Sequence, residues 1–195
     1  VIRQFFFLIG QPRTRSAWLS NWFTTEWSFC LHDPWRFART AAELRQYLEQ
    51  VSPDTPYLGA AGSMSMIQFI DLCNEFGLGL DETRCEGGVA YIRRNPEDVY
   101  ESGLKMDLGL TKQQLQGLVQ QHEQQFKTVP SFVYDMPFKK LDDSTSFREL
   151  HEYLTPEIPF DLNRYRNLND FKVEIIMDKY KKRAQEGEQW LNSLQ

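Results

Sequence analysis

Apolar side chains open the chain as an unbroken run, Phe5-Phe6-Phe7-Leu8-Ile9, that follows Gln4 and stops at Gly10. A run without polar alternation predicts a strand covered on both faces, as in a parallel sheet lying between helices. Trp18, Leu19, Trp22 and Phe23 then share one helical stripe. Strand, tight turn and helix therefore follow one another at once. Trp27 to Leu31 reads as a second strand, ending at His32-Asp33-Pro34. Thr40 and Glu43 have capping-box spacing for a helix carrying Leu44, Tyr47, Leu48 and Val51. Pro53-Asp54-Thr55-Pro56 breaks that helix, and Tyr57 to Ala61 predicts a third strand.

Ile67, Ile70, Cys73 and Phe76 recur at helical spacing before Gly77, which suits a C-cap. Gly87-Gly88 leads into Val89-Ala90-Tyr91-Ile92, a strand ending at Arg93-Arg94-Asn95-Pro96. Pro96 belongs in the first turn of a helix running to about Met106. Thr111 with Gln114 caps a further helix bearing Leu115, Leu118, Val119 and Phe126. Phe132 to Asp135 predicts a strand, Phe147 to Leu154 a short helix, and Pro156 to Asn169 a loop. A charged helix from about 167 to 192 closes the chain, with Phe171, Ile175, Met177, Tyr180 and Trp190. Alternating strands and helices across 1–195 predict one α/β domain, its mainly parallel sheet flanked by helices.

Composition narrows the partners. The net charge of −5 is the opposite of what a phosphate-backbone binder carries, so nucleic acid is excluded as a partner. A compact anion needs only a few placed cations. No apolar run approaches the roughly 18 residues of a membrane span, so no membrane partner is expected. The first nine residues read as a strand and not as a signal peptide. Cys30, Cys73 and Cys85 form no Cys-x-x-Cys pair, which argues against a zinc site or disulfide framework and for a reducing, cytoplasmic compartment.

Two segments carry chemistry. Gly10-Gln11-Pro12-Arg13-Thr14-Arg15-Ser16-Ala17-Trp18 places two arginines and two hydroxyls in a strand-to-helix turn. Such turns direct backbone N–H groups outward, and arginine offers forked donors to phosphate or sulfate. The Walker form Gly-x-x-x-x-Gly-Lys-[Ser/Thr] is absent. Arg94-Asn95-Pro96-Glu97-Asp98-Val99-Tyr100-Glu101-Ser102 puts Arg94 at the C-terminal end of a strand, where open α/β sheets bind ligands. Ser102, eight residues on, would share a phosphate with Arg94 if the helix packs back along the sheet.

In this order the two segments resemble the sulfotransferase family. Its first loop reads Pro-Arg/Lys-Ser-Gly-Thr-Thr-Trp, and its second motif Arg-[Asp/Asn]-Pro-x-Asp-x-x-x-Ser. The resemblance implies a three-layer P-loop NTPase-like fold and 3′-phosphoadenosine-5′-phosphosulfate as sulfuryl donor, with no metal. It implies that Gly10, Pro12, Arg13, Thr14, Arg15, Ser16, Ala17 and Trp18 form the phosphosulfate site, with Arg94 and Ser102 on the 3′-phosphate. The family's usual glycine is Arg15 here, and its second threonine is Ala17. A side chain at 15 either obstructs a turn of positive φ or adds a cation to the site.

Sulfuryl transfer needs a base for the acceptor, and His32 with Asp33 is the first choice, with Arg13 stabilising the leaving group. His122 and His151 read as surface or core-packing residues of amphipathic helices, and Arg36 and Arg39 as contacts for an anionic acceptor or as a solvated loop. Lys181-Lys182-Arg183 is a faint counterpart of the family's C-terminal phosphate grip. The acceptor would be a small molecule or carbohydrate bearing a hydroxyl or amine. Variable loops at 33–40, 62–66, 106–111 and 136–146 would shape its pocket. A kinase-like phosphotransferase, a non-catalytic nucleotide-binding relative and a site completed in a homodimer stay open as alternatives.

Overall fold

The computed structural model describes residues 3–79, 87–105 and 110–169. Its five strands are β1 (Gln4–Gly10), β2 (Ser28–His32), β3 (Tyr57–Gly62), β4 (Gly87–Arg93) and β5 (Val133–Pro137). All pair in parallel, in the order β2-β3-β1-β4-β5. The helices are α1 (Ser16–Trp22), α2 (Ala41–Val51), α3 (Met66–Phe76), α4 (Pro96–Leu104), α5 (Lys112–Gln125), α6 (Ser144–Leu154) and α7 (Leu162–Asn169). This is a three-layer α/β fold, a parallel sheet lying between two helix layers.

The opening apolar run explains the layering. Phe5, Phe7 and Ile9 face α2 and α3 in one core, while Phe6 and Leu8 face α1, α6 and α7 in the other. Period-two alternation thus sends every second side chain of β1 into a different helix layer. β1 leaves the sheet toward α1 on one face, whereas its neighbour β3 leaves toward α3 on the other. Diverging connections open a crevice at the C-terminal ends of the strands, where such sheets bind ligands.

Several elements differ from the sequence expectation. α3 buries Phe69, Leu72 and Phe76, while Ile67 and Ile70 are 81% and 52% exposed. Glu43 does not complete a capping box. Thr40 accepts from the Glu43 N–H, but the Glu43 carboxylate accepts from the Arg39 N–H. The segment read as a loop through Asn169 contains α7, started by the Asp161 side chain and anchored by Tyr165 and Leu168. From residue 170 on, the expected C-terminal helix with its Lys181-Lys182-Arg183 run lies outside the described residues, and so do Cys85 and Met106. Among the described residues no helix is long and apolar enough to cross a membrane.

His151 belongs to the second core, 4% exposed. The Trp22 indole N–H donates to its Nδ1 at 3.1 Å, and its Nε2 lies 2.7 Å from the Ile158 carbonyl oxygen. An indole nitrogen only donates and a carbonyl only accepts, so the imidazole is neutral with its proton on Nε2. Burial pulls its pKa down, against a smaller upward pull from the Ile158 carbonyl. His122, stacked on Tyr91 and Phe126, is pushed down by burial to about 4.

These shifts set a sign. The folded pKa values lie below the unfolded value near 6.5, so the unfolded chain binds more protons, and stability is complete above pH 6.5 and drains as pH falls toward 4. His122 alone accounts for at most about 3 kcal/mol of that loss. Urea midpoints should fall between pH 7 and pH 4.5, and by clearly less in His122→Gln.

Candidate functional site

The site is built from three loops at the C-terminal ends of β1, β4 and β2. β1 stops at Gly10, where a Cβ would stand 2.8 Å from Thr14 Oγ1 and 2.9 Å from the Ile92 carbonyl oxygen. Only glycine lets the loop close this tightly on β4. Arg13 (φ 71°) and Arg15 (φ 60°) then both take left-handed backbone conformations. For residues with a Cβ that costs about 1 kcal/mol or more each, and such strain concentrates where ligands are held. Left-handed residues in a turn are one way successive N–H groups are gathered into an anion-binding concavity.

Side chains of the loop divide into two sets. Pro12 and Arg13 are exposed, and Ser16 and Ala17 half-buried. Thr14 is 3% exposed, and its hydroxyl donates inward to the Gln11 carbonyl at 2.8 Å. What Thr14 offers a ligand is therefore its backbone, not its hydroxyl. Trp18 is likewise a core residue, 8% exposed, packed on Phe147 and Tyr165 with its indole N–H on the Leu168 carbonyl. Its place in the sequence reading as a nucleotide contact gives way to packing.

The second wall comes from the end of β4. Arg94 donates Nη1 to the carbonyl of Arg13, and Arg13 donates Nε to Ser102 Oγ at 3.2 Å. Residues 13, 94 and 102 thus meet, although 81 and 89 positions separate the bonded pairs. The expected pairing is redrawn in one respect: Ser102 is bonded to Arg13, and Arg94 reaches the loop backbone. The Arg94 Nε is buried and has no hydrogen-bond partner among the described residues. Burial lowers the proton affinity of Arg94 most; Asp98 opposes this, and nearby Arg13 and Arg15 lower it further. A cluster of guanidinium groups this close calls for anionic charge.

Arg15 resolves both expectations attached to it. Its φ is positive, and its side chain leaves the loop to pair with Asp142 at 2.6 Å, 5.2 Å from the Phe138 ring centre. Arg94 stands over the same ring at 4.5 Å. Two cation–π contacts, each about 0.5–2 kcal/mol, fasten the loop after β1 and the end of β4 to the turn after β5. No sequence signal marked Phe138 or Asp142 as part of this arrangement.

The third wall is the end of β2. Ser16 Oγ lies 3.0 Å from His32 Nε2, and Asp33 Oδ1 is 3.5 Å from the same nitrogen. Asp33 is also left-handed (φ 50°), and its Oδ2 lies 3.6 Å from Arg36 Nε. Burial lowers the His32 pKa; the Asp33 carboxylate raises it by less, and Arg36 lowers it again. His32 is thus held neutral near pH 7, able to accept a proton beside the loop. His122 and His151 lie in or against the cores, as the sequence suggested. Among the described residues no group of three or more His, Cys, Asp and Glu is placed to hold a metal ion.

No protein-family model matches the chain. No curated protein matches it in sequence. Among solved structures, shikimate kinase from Bacteroides thetaiotaomicron is similar, with a TM-score of 0.47 and 16% identity, covering 76% of this chain and 96% of that one.

Proposed function

We propose that the chain binds 3′-phosphoadenosine-5′-phosphosulfate and transfers its sulfuryl group to a hydroxyl or amine acceptor. One observation carries this reading: Arg13, Arg94 and Ser102, from the two segments that resemble the sulfotransferase motifs, sit together at the ends of β1 and β4. Arg13, Ser16 and the backbone of 13–17 would receive the phosphosulfate, and Arg94 with Ser102 the 3′-phosphate. In the step, the acceptor oxygen or nitrogen gives its proton to His32 and forms the new bond to sulfur. The bond from sulfur to the bridging phosphate oxygen breaks, its electron pair staying with 3′-phosphoadenosine-5′-phosphate. Arg13 and the loop N–H groups face that growing charge. Asp33 would steady the imidazolium that results.

A kinase-like phosphotransferase is the second reading, and a non-catalytic nucleotide-binding relative the third. The parallel sheet and its β1 loop serve phosphoryl and sulfuryl transfer equally, and the similar solved structure is a kinase, though at 16% identity that likeness concerns fold alone. Counted from Gly10, a Walker loop's second glycine falls on Arg15 and its lysine on Ser16, so the loop's cations are arginines at other positions. Thermal-shift titration separates the readings. 3′-Phosphoadenosine-5′-phosphate should raise the melting temperature without magnesium, by RT ln(1 + [L]/Kd) in stability, and Mg-ATP should not. Stabilisation by Mg-ATP alone transfers the assignment to the phosphotransferase.

A further inference from the structure

An open cleft of 260 Å³ lies beside the His32 corner, lined by Asp33, Trp35, Arg36 and Ser63. Asp33 follows β2 directly and Ser63 follows β3, so the cleft occupies the same C-terminal edge of the sheet as the arginine cluster. Close packing fixes its floor: a Cβ on Gly62 would stand 2.9 Å from Pro34 Cδ, and the Asp33 N–H is bonded to the Ala61 carbonyl. Asp33 links the two places, with Oδ1 toward His32 and Oδ2 toward Arg36.

The lining is chemically mixed. The Asp33 carboxylate accepts from hydroxyls, and the Ser63 hydroxyl both donates and accepts. The Trp35 indole N–H is buried and has no hydrogen-bond partner among the described residues, which is costly unless a ligand or water supplies one. The Arg36 side chain is 70% exposed, and its Nε lies 3.6 Å from Asp33, too far for a hydrogen bond. Its fork is therefore open to a second carboxylate or similar anion. A volume at the low end of ligand pockets suits one ring or a short chain.

We propose that this cleft is the acceptor site and takes a small hydroxylated acid: hydroxyls on Asp33 and Ser63, an anionic group on Arg36, and the Trp35 N–H as a further donor. A flat apolar phenol would leave the Asp33 carboxylate, the Arg36 guanidinium and the indole N–H unpaired. The word acceptor rests on the group-transfer reading above; binding of a hydroxy acid does not.

Calorimetric titration with D-glucuronate, D-gluconate, D-glucose and 4-nitrophenol tests it, on the chain alone and on the chain saturated with 3′-phosphoadenosine-5′-phosphate. At least one of the two acids should bind more tightly than glucose and nitrophenol. Arg36→Ala should weaken it about tenfold and abolish the preference over glucose. Trp35→Phe, which keeps the ring and removes the N–H, should weaken it about threefold or more. Neither acid binding below about 10 mM, nitrophenol binding best, or affinity unmoved in Arg36→Ala would each overturn the proposal. Acid binding to the chain alone with no nucleotide binding at all would leave the cleft standing and remove the transfer reading. The two failures are therefore distinguishable.

Discussion

Arg94→Ala should raise the dissociation constant for 3′-phosphoadenosine-5′-phosphate at least about a hundredfold, measured by calorimetry at fixed salt. Two losses combine. A charge-assisted bond from a half-buried guanidinium to phosphate is typically worth about 1.5–3 kcal/mol. Arg94 also holds the Arg13 carbonyl, so its removal loosens the left-handed turn that aims Arg13. Arg94→Lys should recover little, because an ammonium cannot grip the carbonyl, a phosphate and the Phe138 ring at once. On the proposed sulfuryl-transfer reading, Arg13→Ala should cut turnover by a similar factor, since it would remove one preorganised donor at the leaving group. The double replacement should cost less than the two single losses added, because each arginine positions the other. Strict additivity would mean that neither arginine positions the other.

Different parts of this arrangement were legible to different degrees, for physical reasons. The unbroken apolar run of β1 forced a two-sided sheet, and the glycine at its end forced a close turn; both follow from local chemistry. So did the start of α4, where Asn95 caps the Glu97 N–H ahead of Pro96. α3 carries two apolar stripes, Ile67 with Ile70 and Phe69 with Leu72 and Phe76. Periodicity cannot choose between them, and the choice falls to the partners: Phe76 meets Phe5 and Phe7 of β1, and Phe69 meets Phe126. α7 has few apolar residues, so its helix depends on Tyr165 and Leu168 finding the α1–α6 layer. The pairing of Arg15 with Asp142 spans 127 positions and breaks no local rule, so nothing short of the folded chain reveals it. The motif-bearing segments announced themselves, while the residues that hold them in place did not.

His32→Gln should lower kcat by about a hundredfold to ten-thousandfold with little change in KM, the range for loss of a general base. Glutamine keeps a polar side chain of similar reach, so the bond to Ser16 and the fold should survive; the melting temperature at pH 7.5 provides the control. The stronger test is the pH profile. Burial places the His32 pKa below its ordinary 6.5, so the wild-type rate should be level near pH 7 to 8 and fall with acid only below 6.5. The neighbours give the sign of two further shifts. Asp33 raises the His32 pKa, so Asp33→Asn should move the acid limb to lower pH; Arg36 lowers it, so Arg36→Ala should move the limb to higher pH. Opposite movements in these two variants, with the limb absent from His32→Gln, would identify the titrating group by its electrostatic surroundings and not merely by its removal. A limb that stays in place in all three belongs to another group, and the base must then be sought elsewhere along the rim of the sheet.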